Sequence, residues 1–169
     1  MRKYVILFIK KYVIKKFIFK IKKRGKLIKL IKPRSAKTLA ANIAKIAMSK
    51  LATDILIVDL TKVDSAPCEY FVICSTLSTP QTKAVFEEIY YKLKNLDIPL
   101  PKVEGLDSSE WILLDYFDVV VHIMTEEIRN YYKLEKLWSD AKFYTLNENN
   151  DLVVFRKEQL KKMYLAPTV

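Results

Sequence analysis

The sequence predicts an α/β fold, a single domain in which helices flank a sheet. Three observations predict it. At 169 residues the chain is long enough for one sizeable core and too short for two ordinary ones. With 51% hydrophobic and 29% charged residues it lies far from the low-hydrophobicity composition of disordered chains. Stretches with apolar residues every three or four positions alternate with short continuous apolar runs, the patterns of amphipathic helices and buried strands.

Residues 1–35 read as a basic N-terminal extension, 36–142 as the domain and 143–169 as a C-terminal tail. The net charge of +11 is unevenly placed: residues 1–34 hold 14 Lys or Arg and no acid, leaving 16 basic and 19 acidic residues in the remainder. The folded part is therefore slightly acidic, and a basic nucleic-acid footprint on it is not expected. In the extension, apolar clusters such as Val5–Ile9 alternate with lysine pairs. Its longest apolar run, Tyr4–Ile9, is too short for a membrane-spanning helix or a signal peptide. Lysine dominates its cations and the first serine is Ser35, a poor match to an organelle transit peptide. On a helical wheel the charges spread all round, so no lipid-facing helix stands out. Three readings stay open: an extension without a defined role, a tether to RNA phosphate or anionic membrane, and a targeting segment.

The domain opens with a helix over Thr38–Leu51, whose apolar residues Leu39, Ile43, Ile46, Ala47 and Leu51 fall on one face. Ile55–Val58 and Tyr70–Cys74 are continuous apolar runs and read as buried strands. Ser78, Thr79 and Pro80 start a second helix, with Gln81 at the capping-box position, and its apolar face continues to about Asn95. Trp111–Tyr116 and Val119–Met124 flank only Phe117 and Asp118, which predicts a hairpin with a two-residue loop. In that register paired residue numbers sum to 235. Ile112, Leu114, Tyr116, Val119, Val121 and Ile123 share one face, expected to be core. Trp111, Leu113, Asp115, Val120, His122 and Met124 share the other, whose mixture of aromatic, carboxylate and imidazole suits a partner surface. Phe117 stands where such a turn favours glycine or asparagine, so strain is expected there. Thr125, Glu126 and Glu127 begin one or two short helices carrying Ile128, Tyr131, Tyr132, Leu134, Leu137 and Trp138. The polar run Asn147–Asp151 reads as a turn or linker before a small appended element over Leu152–Tyr164.

The residue types restrict the chemistry. Gly25 and Gly105 are the only glycines, so glycine-rich phosphate cradles of the P-loop or dinucleotide kind are excluded. Two cysteines, Cys68 and Cys74, and one histidine, His122, are too few for a structural zinc site or a disulfide scaffold. Both cysteines are expected as small core residues in a reducing compartment. A Cys–His pair for acyl transfer has no supporting spacing. Asp115, Asp118, Glu126 and Glu127 could in principle hold Mg²⁺, but the missing phosphate cradle favours an acidic surface facing a basic partner.

The segments Asp54–Leu60, Glu69–Ser75, Val103–Gly105, Glu110–Tyr116, Asp118–Met124 and Tyr132–Ala141 together resemble the ribosomal silencing factor family, RsfS, also called Iojap. The resemblance covers about residues 37–142. It implies a mixed sheet like that of nucleotidyltransferases without their catalytic residues. It further implies a non-enzymatic translation repressor that needs no cofactor. Such a factor binds ribosomal protein fourteen of the large subunit and sterically blocks subunit joining. The family's contact strand corresponds here to Trp111 with Ile112, Asp115 and Tyr116; Leu113, Asp118, His122, Met124 and Glu104 complete the expected partner-binding set. A homodimer off the ribosome is also implied. The location expected is the cytoplasm of a bacterial cell, or an organelle matrix if residues 1–34 are a targeting segment. Phe117 departs from the family's glycine, and the arm and tail fall outside the pattern. The readings from other classes are a nucleotidyltransferase-like enzyme and an RNA-binding protein acting through its basic arm.

Overall fold

The computed structural model of the chain describes residues 18–23 and 26–163. Ile18–Lys23 (β1) and Lys26–Ile31 (β2) form an antiparallel hairpin separate from the main sheet. Ser35 then caps helix α1 (Ala36–Ser49), its hydroxyl accepting the Thr38 N–H at 3.2 Å. The cap lies in the polar link itself, so the helix begins and ends two residues earlier than its apolar spacing predicts. Leu51, read as its last apolar position, instead has φ of 61° and is exposed.

Seven strands build the main sheet: β3 (Thr53–Asp59), β4 (Tyr70–Thr76), β5 (Lys102–Glu104), β6 (Trp111–Asp115), β7 (Val119–Thr125), β8 (Lys142–Leu146) and β9 (Leu152–Phe155). Their order is β5-β6-β7-β4-β3-β8-β9. Only β4 and β7 run parallel; every other neighbour is antiparallel, so the sheet is mixed. β4 is buried along its whole length, as its continuous apolar run requires of a central strand. Helix α2 (Thr79–Lys94) begins at Ser78, whose hydroxyl accepts the Gln81 N–H. Gln81 returns the bond one residue early, its Oε1 accepting the Leu77 N–H at 2.8 Å.

The two sheet faces carry separate cores. Helices α1 and α2 cover one, burying Ile43, Val85, Ile89, Ile112, Leu114 and Val121. Over the other lie α3 (Glu126–Tyr132), a 3₁₀ helix (Leu134–Trp138) and α4 (Lys157–Met163), which enclose Leu56, Phe71, Ile73, Met124 and Phe143. No helix among the described residues is long and apolar enough to cross a membrane.

The boundary expected at residue 142 is a correction. Phe143 pairs with Val58 and Tyr144 with Ile57, so β8 extends the sheet beyond β3 and β9 extends it beyond β8. The polar run Asn147–Asp151 is the hairpin turn between them, closed by Asn147 Oδ1 accepting the N–H groups of Asn149 and Asp151 at 2.9 Å. Residues 143–163 therefore belong to the domain. The arm is corrected in part: Leu30 is fully buried in the α1–α2 core, which ties the β1–β2 hairpin to the domain. Residues 1–17, 24 and 25 of the extension lie outside the described residues.

Candidate partner-binding face

The β6–β7 hairpin adopts the register read from the sequence, with Trp111 opposite Met124, Leu113 opposite His122 and Asp115 opposite Val120. Side chains alternate across a strand, so one register assigns both faces. Ile112, Leu114, Val119, Val121 and Ile123 are fully buried against the helices. Trp111, Leu113, Asp115 and Val120 lie partly exposed on the opposite face. Glu104, opposite Leu113, adds an exposed carboxylate from β5.

The turn carries the expected strain. Phe117 has φ of 73°, and the Asp118 N–H donates to the Tyr116 carbonyl two residues back, the signature of a γ-turn of positive φ. Asp115 Oδ1 accepts the Phe117 N–H at 2.7 Å and holds the turn closed. The Phe117 side chain pays nothing back in packing, standing 86% exposed at the tip. At the other end of β6, Gly105 has φ of 82°, and a Cβ there would lie 1.9 Å from the Trp111 carbonyl oxygen. Only glycine lets the chain pass from β5 so close behind Trp111.

Five ring contacts join six side chains across the face. Trp138 meets Phe71, Phe71 meets His122, His122 meets Trp111, Trp111 meets Tyr132 and Tyr132 meets Tyr131, with centroids 4.8–5.8 Å apart. The series runs from the core to the surface, where Tyr131 and Tyr132 are exposed. Trp111 Nε1–H donates to His122 Nδ1 at 3.3 Å. That bond places the neutral imidazole's proton on Nε2, which is buried without a partner. Burial pushes the His122 pKa down to about 4, with the Glu135 carboxylate pulling weakly the other way.

Several expected site residues occupy other roles. Ile112 and Met124 are fully buried, so each supports the face from beneath. His122, only 5% exposed, holds Trp111 rather than presenting itself. Tyr116 turns toward the helices, where burial raises its hydroxyl pKa and leaves the oxygen unpartnered. The expected acid cluster is split. Asp115 and Asp118 sit at the hairpin tip, while Glu126 and Glu127 begin α3 at the far end of β7, roughly 20 Å away at the rise of a strand.

The Cys–His pairing is not assembled either. Cys74 is buried in the core under α1 and α2, whereas His122 packs on Phe71 across the sheet. Burial pushes the thiol pKa to about 12 at Cys74 and about 11 at Cys68, the reverse of an activated nucleophile.

One constellation has no counterpart in the sequence reading. Arg129 on α3 and Glu135 on the 3₁₀ helix form a buried pair, with Nε and Nη2 donating to Glu135 Oε1 at 3.0 and 2.8 Å. Arg129 Nη1 also donates to the Asp54 carbonyl and to Ser75 Oγ. The pair thereby fastens the tyrosine-bearing helix onto β3 and β4.

These features define an α/β domain with a mixed sheet and an aromatic face left partly open at one edge. The chain belongs to the ribosomal silencing factor family: the family model described as ribosomal silencing factor during starvation matches residues 33–164. The match runs through β8, β9 and α4, farther than the motif resemblance at 37–142. The chain is 42% identical over 92 residues to the ribosomal silencing factor RsfS of Bacillus subtilis, covering 54% of this chain and 77% of that protein. It is 35% identical over 104 residues to RsfS of Chromobacterium violaceum, covering 59% and 84%. A crystal structure of a Chromobacterium violaceum protein superposes with a TM-score of 0.58 at 30% identity, covering 62% of this chain and 86% of that one.

Proposed function

We propose that this chain represses translation by docking the open β5–β6–β7 face on ribosomal protein fourteen of the large subunit, where its bulk blocks joining of the small subunit. The observation that carries this reading is the Trp111 platform: an indole oriented by His122 and flanked by Tyr132 and Leu113 on a rigid sheet. Pre-oriented aromatic anchors are the side chains that dominate protein interfaces. Asp118, Glu104 and Asp115 rim the face with negative charge, which suits a basic protein patch and disfavours bare RNA. A second copy, offering the same apolar patch about a two-fold axis, is the partner we assign to the face off the ribosome. On this reading the chain works where its ribosomes are, in the cytoplasm, or in an organelle matrix if residues 1–34 direct it there.

The reading makes the chain a non-enzymatic regulator. Sedimentation of the full-length chain with purified subunits through a sucrose gradient tests it. The chain should travel with the large subunit and lower the yield of joined ribosomes in proportion to its occupancy. Failure to travel with the large subunit, or travel with no loss of joining, would sink the reading.

A further inference from the structure

Four buried polar side-chain atoms have no hydrogen-bond partner among the described residues, and three of them gather behind the aromatic face: His122 Nε2, Glu135 Oε2 and Trp138 Nε1. Glu135 and Trp138 stand three residues apart on the 3₁₀ helix, a spacing that stacks side chains on one face. Phe71 joins that face to the imidazole, meeting Trp138 at 5.6 Å and His122 at 4.8 Å between centroids, each edge-on. The Glu135 carboxylate is close enough to act on His122, opposing the fall that burial imposes on its pKa. Glu135 is wholly buried and His122 is 5% exposed, so bulk solvent satisfies neither.

Unpaired polar atoms in an interior destabilise the fold, and three in one place call for a shared partner. With Nδ1 accepting from Trp111, the imidazole carries its proton on Nε2, so the three atoms are two N–H donors and one carboxylate oxygen. The donors disfavour a cation and the carboxylate disfavours an anion. The complementary ligand is neutral and both accepts and donates. We propose that a single internal water molecule binds here, accepting from His122 Nε2–H and Trp138 Nε1–H and donating to Glu135 Oε2. Three hydrogen bonds are about what a buried water makes. The other carboxylate oxygen, Oε1, takes both bonds from Arg129, and Arg129 in turn reaches the Asp54 carbonyl and Ser75 Oγ. The water thereby closes a continuous hydrogen-bonded chain from Trp111 through His122, Glu135 and Arg129 to β3 and β4. It also acts on the imidazole: by accepting from Nε2–H it holds the tautomer whose Nδ1 lone pair receives the indole. That the chain braces a docking side chain rests on the reading of Trp111 above; the water site itself does not.

His122 is the only histidine and Trp111 and Trp138 are the only tryptophans, so nitrogen-labelled full-length chain gives one imidazole and two indole signals by NMR. At neutral pH the imidazole proton should sit on Nε2. That N–H and the Trp138 indole N–H should both show cross-relaxation with water, of the sign that marks a long-lived internal molecule rather than surface hydration. Trp111→Phe, which also assigns the two indoles, should leave the proton on Nε2 because the water still holds it there. Trp138→Phe keeps a ring against Phe71 and leaves the Arg129–Glu135 pair untouched. It should speed solvent exchange of the Nε2 proton roughly fivefold or more, as the loss of one of the water's hydrogen bonds requires. Absence of the water signal at either N–H would overturn the inference. So would an imidazole proton that moves to Nδ1 in Trp111→Phe, or an exchange rate unmoved in Trp138→Phe. None of these readouts involves the ribosome. If they came out as expected while Trp111→Ala bound the large subunit normally, the docking reading would fail and the water site would stand.

Discussion

Trp111 and His122 hold each other in place: the indole N–H donates to the imidazole Nδ1 at 3.3 Å while the rings lie 5.8 Å apart. The bond requires a neutral imidazole, because a protonated one has no lone pair at Nδ1. With the folded-state pKa near 4 and an unfolded value near 6.5, the unfolded chain takes up a proton first as pH falls. The stabilisation is fully present above about pH 6.5, declines below it, and is exhausted at about pH 4, where both states are protonated. The loss should reach roughly 2 kcal/mol at pH 5. Urea unfolding at pH 7.5 and 5.0 checks this. His122→Phe should flatten the difference, and an equal acid loss in both proteins would show that His122 is not its source.

The buried Arg129–Glu135 pair predicts a non-additive cycle. Glu135→Leu leaves a guanidinium uncompensated in the interior and should cost about 3–5 kcal/mol. The double change Arg129→Met with Glu135→Leu should cost clearly less than Glu135→Leu alone, as measured by chemical denaturation. Additive losses would mean that the two charges do not interact.

Trp111→Ala and Leu114→Ala separate surface from core on one strand. Leu114, fully buried under the helices, should cost about 2–5 kcal/mol of stability. Trp111→Ala should weaken large-subunit binding by roughly 2 kcal/mol or more. It should also cost about 1–3 kcal/mol of stability, since it strips His122 of its hydrogen bond. Binding should recover in no part when stability is restored by lower temperature or osmolyte. Recovery would make Trp111 structural only.

Phe117→Gly tests whether turn strain is retained for contact. Glycine accepts φ of 73° without the Cβ penalty of about 1–2 kcal/mol. Its entropic cost offsets part of that, leaving a net gain of up to about 1 kcal/mol. A higher Tm with weaker subunit association would place the exposed ring in the interface; a higher Tm with unchanged association would exclude it.

Asp118→Lys addresses electrostatics. Asp118 is exposed and its described hydrogen bonds are made by its backbone, so stability should change by less than about 0.5 kcal/mol. Association with the large subunit should slow, and the difference from the parent should shrink as salt is added. Faster association would contradict an acidic rim meeting a basic patch. Asp115 is unsuitable for this purpose because its carboxylate closes the Phe117 turn.

The parts of this fold that announce themselves have long or redundant patterns. Helix α2 carries its own cap residues and an apolar face repeating every three or four residues along its sixteen-residue length, and the β6–β7 register follows from two apolar alternations separated by two residues. The platform residues Trp111 and Leu113 were legible for the same reason. Strands β8 and β9 were not: five and four residues of modest hydrophobicity flanking a polar turn look like a tail until β3 supplies the partner. The β1–β2 hairpin does show period-2 alternation, Phe19-Lys20-Ile21-Lys22 and Ile28-Lys29-Leu30 around Arg24-Gly25, but lysine clusters at its tip obscure it. Arg129 and Glu135 look like ordinary surface charges because the bend at Lys133, with φ of 48°, brings them together at a separation no straight helix would pair. Tyr132 joins the platform by the same bend-bounded helix, and neighbouring tyrosines alone do not reveal which one folds inward.

The β8–β9 hairpin has a protective consequence. β3 presents the continuous run Ile55–Val58, and β8 occupies the hydrogen-bonding edge that this run would otherwise offer to any extended chain nearby. Bare edges of that kind template association between molecules. A chain cut after residue 142 would therefore keep its aromatic platform yet turn into a seed for sheet-to-sheet polymerisation. The β8–β9 hairpin serves as a chaperone-like cover for the strand beside it, keeping a protein built around one open face from acquiring a second.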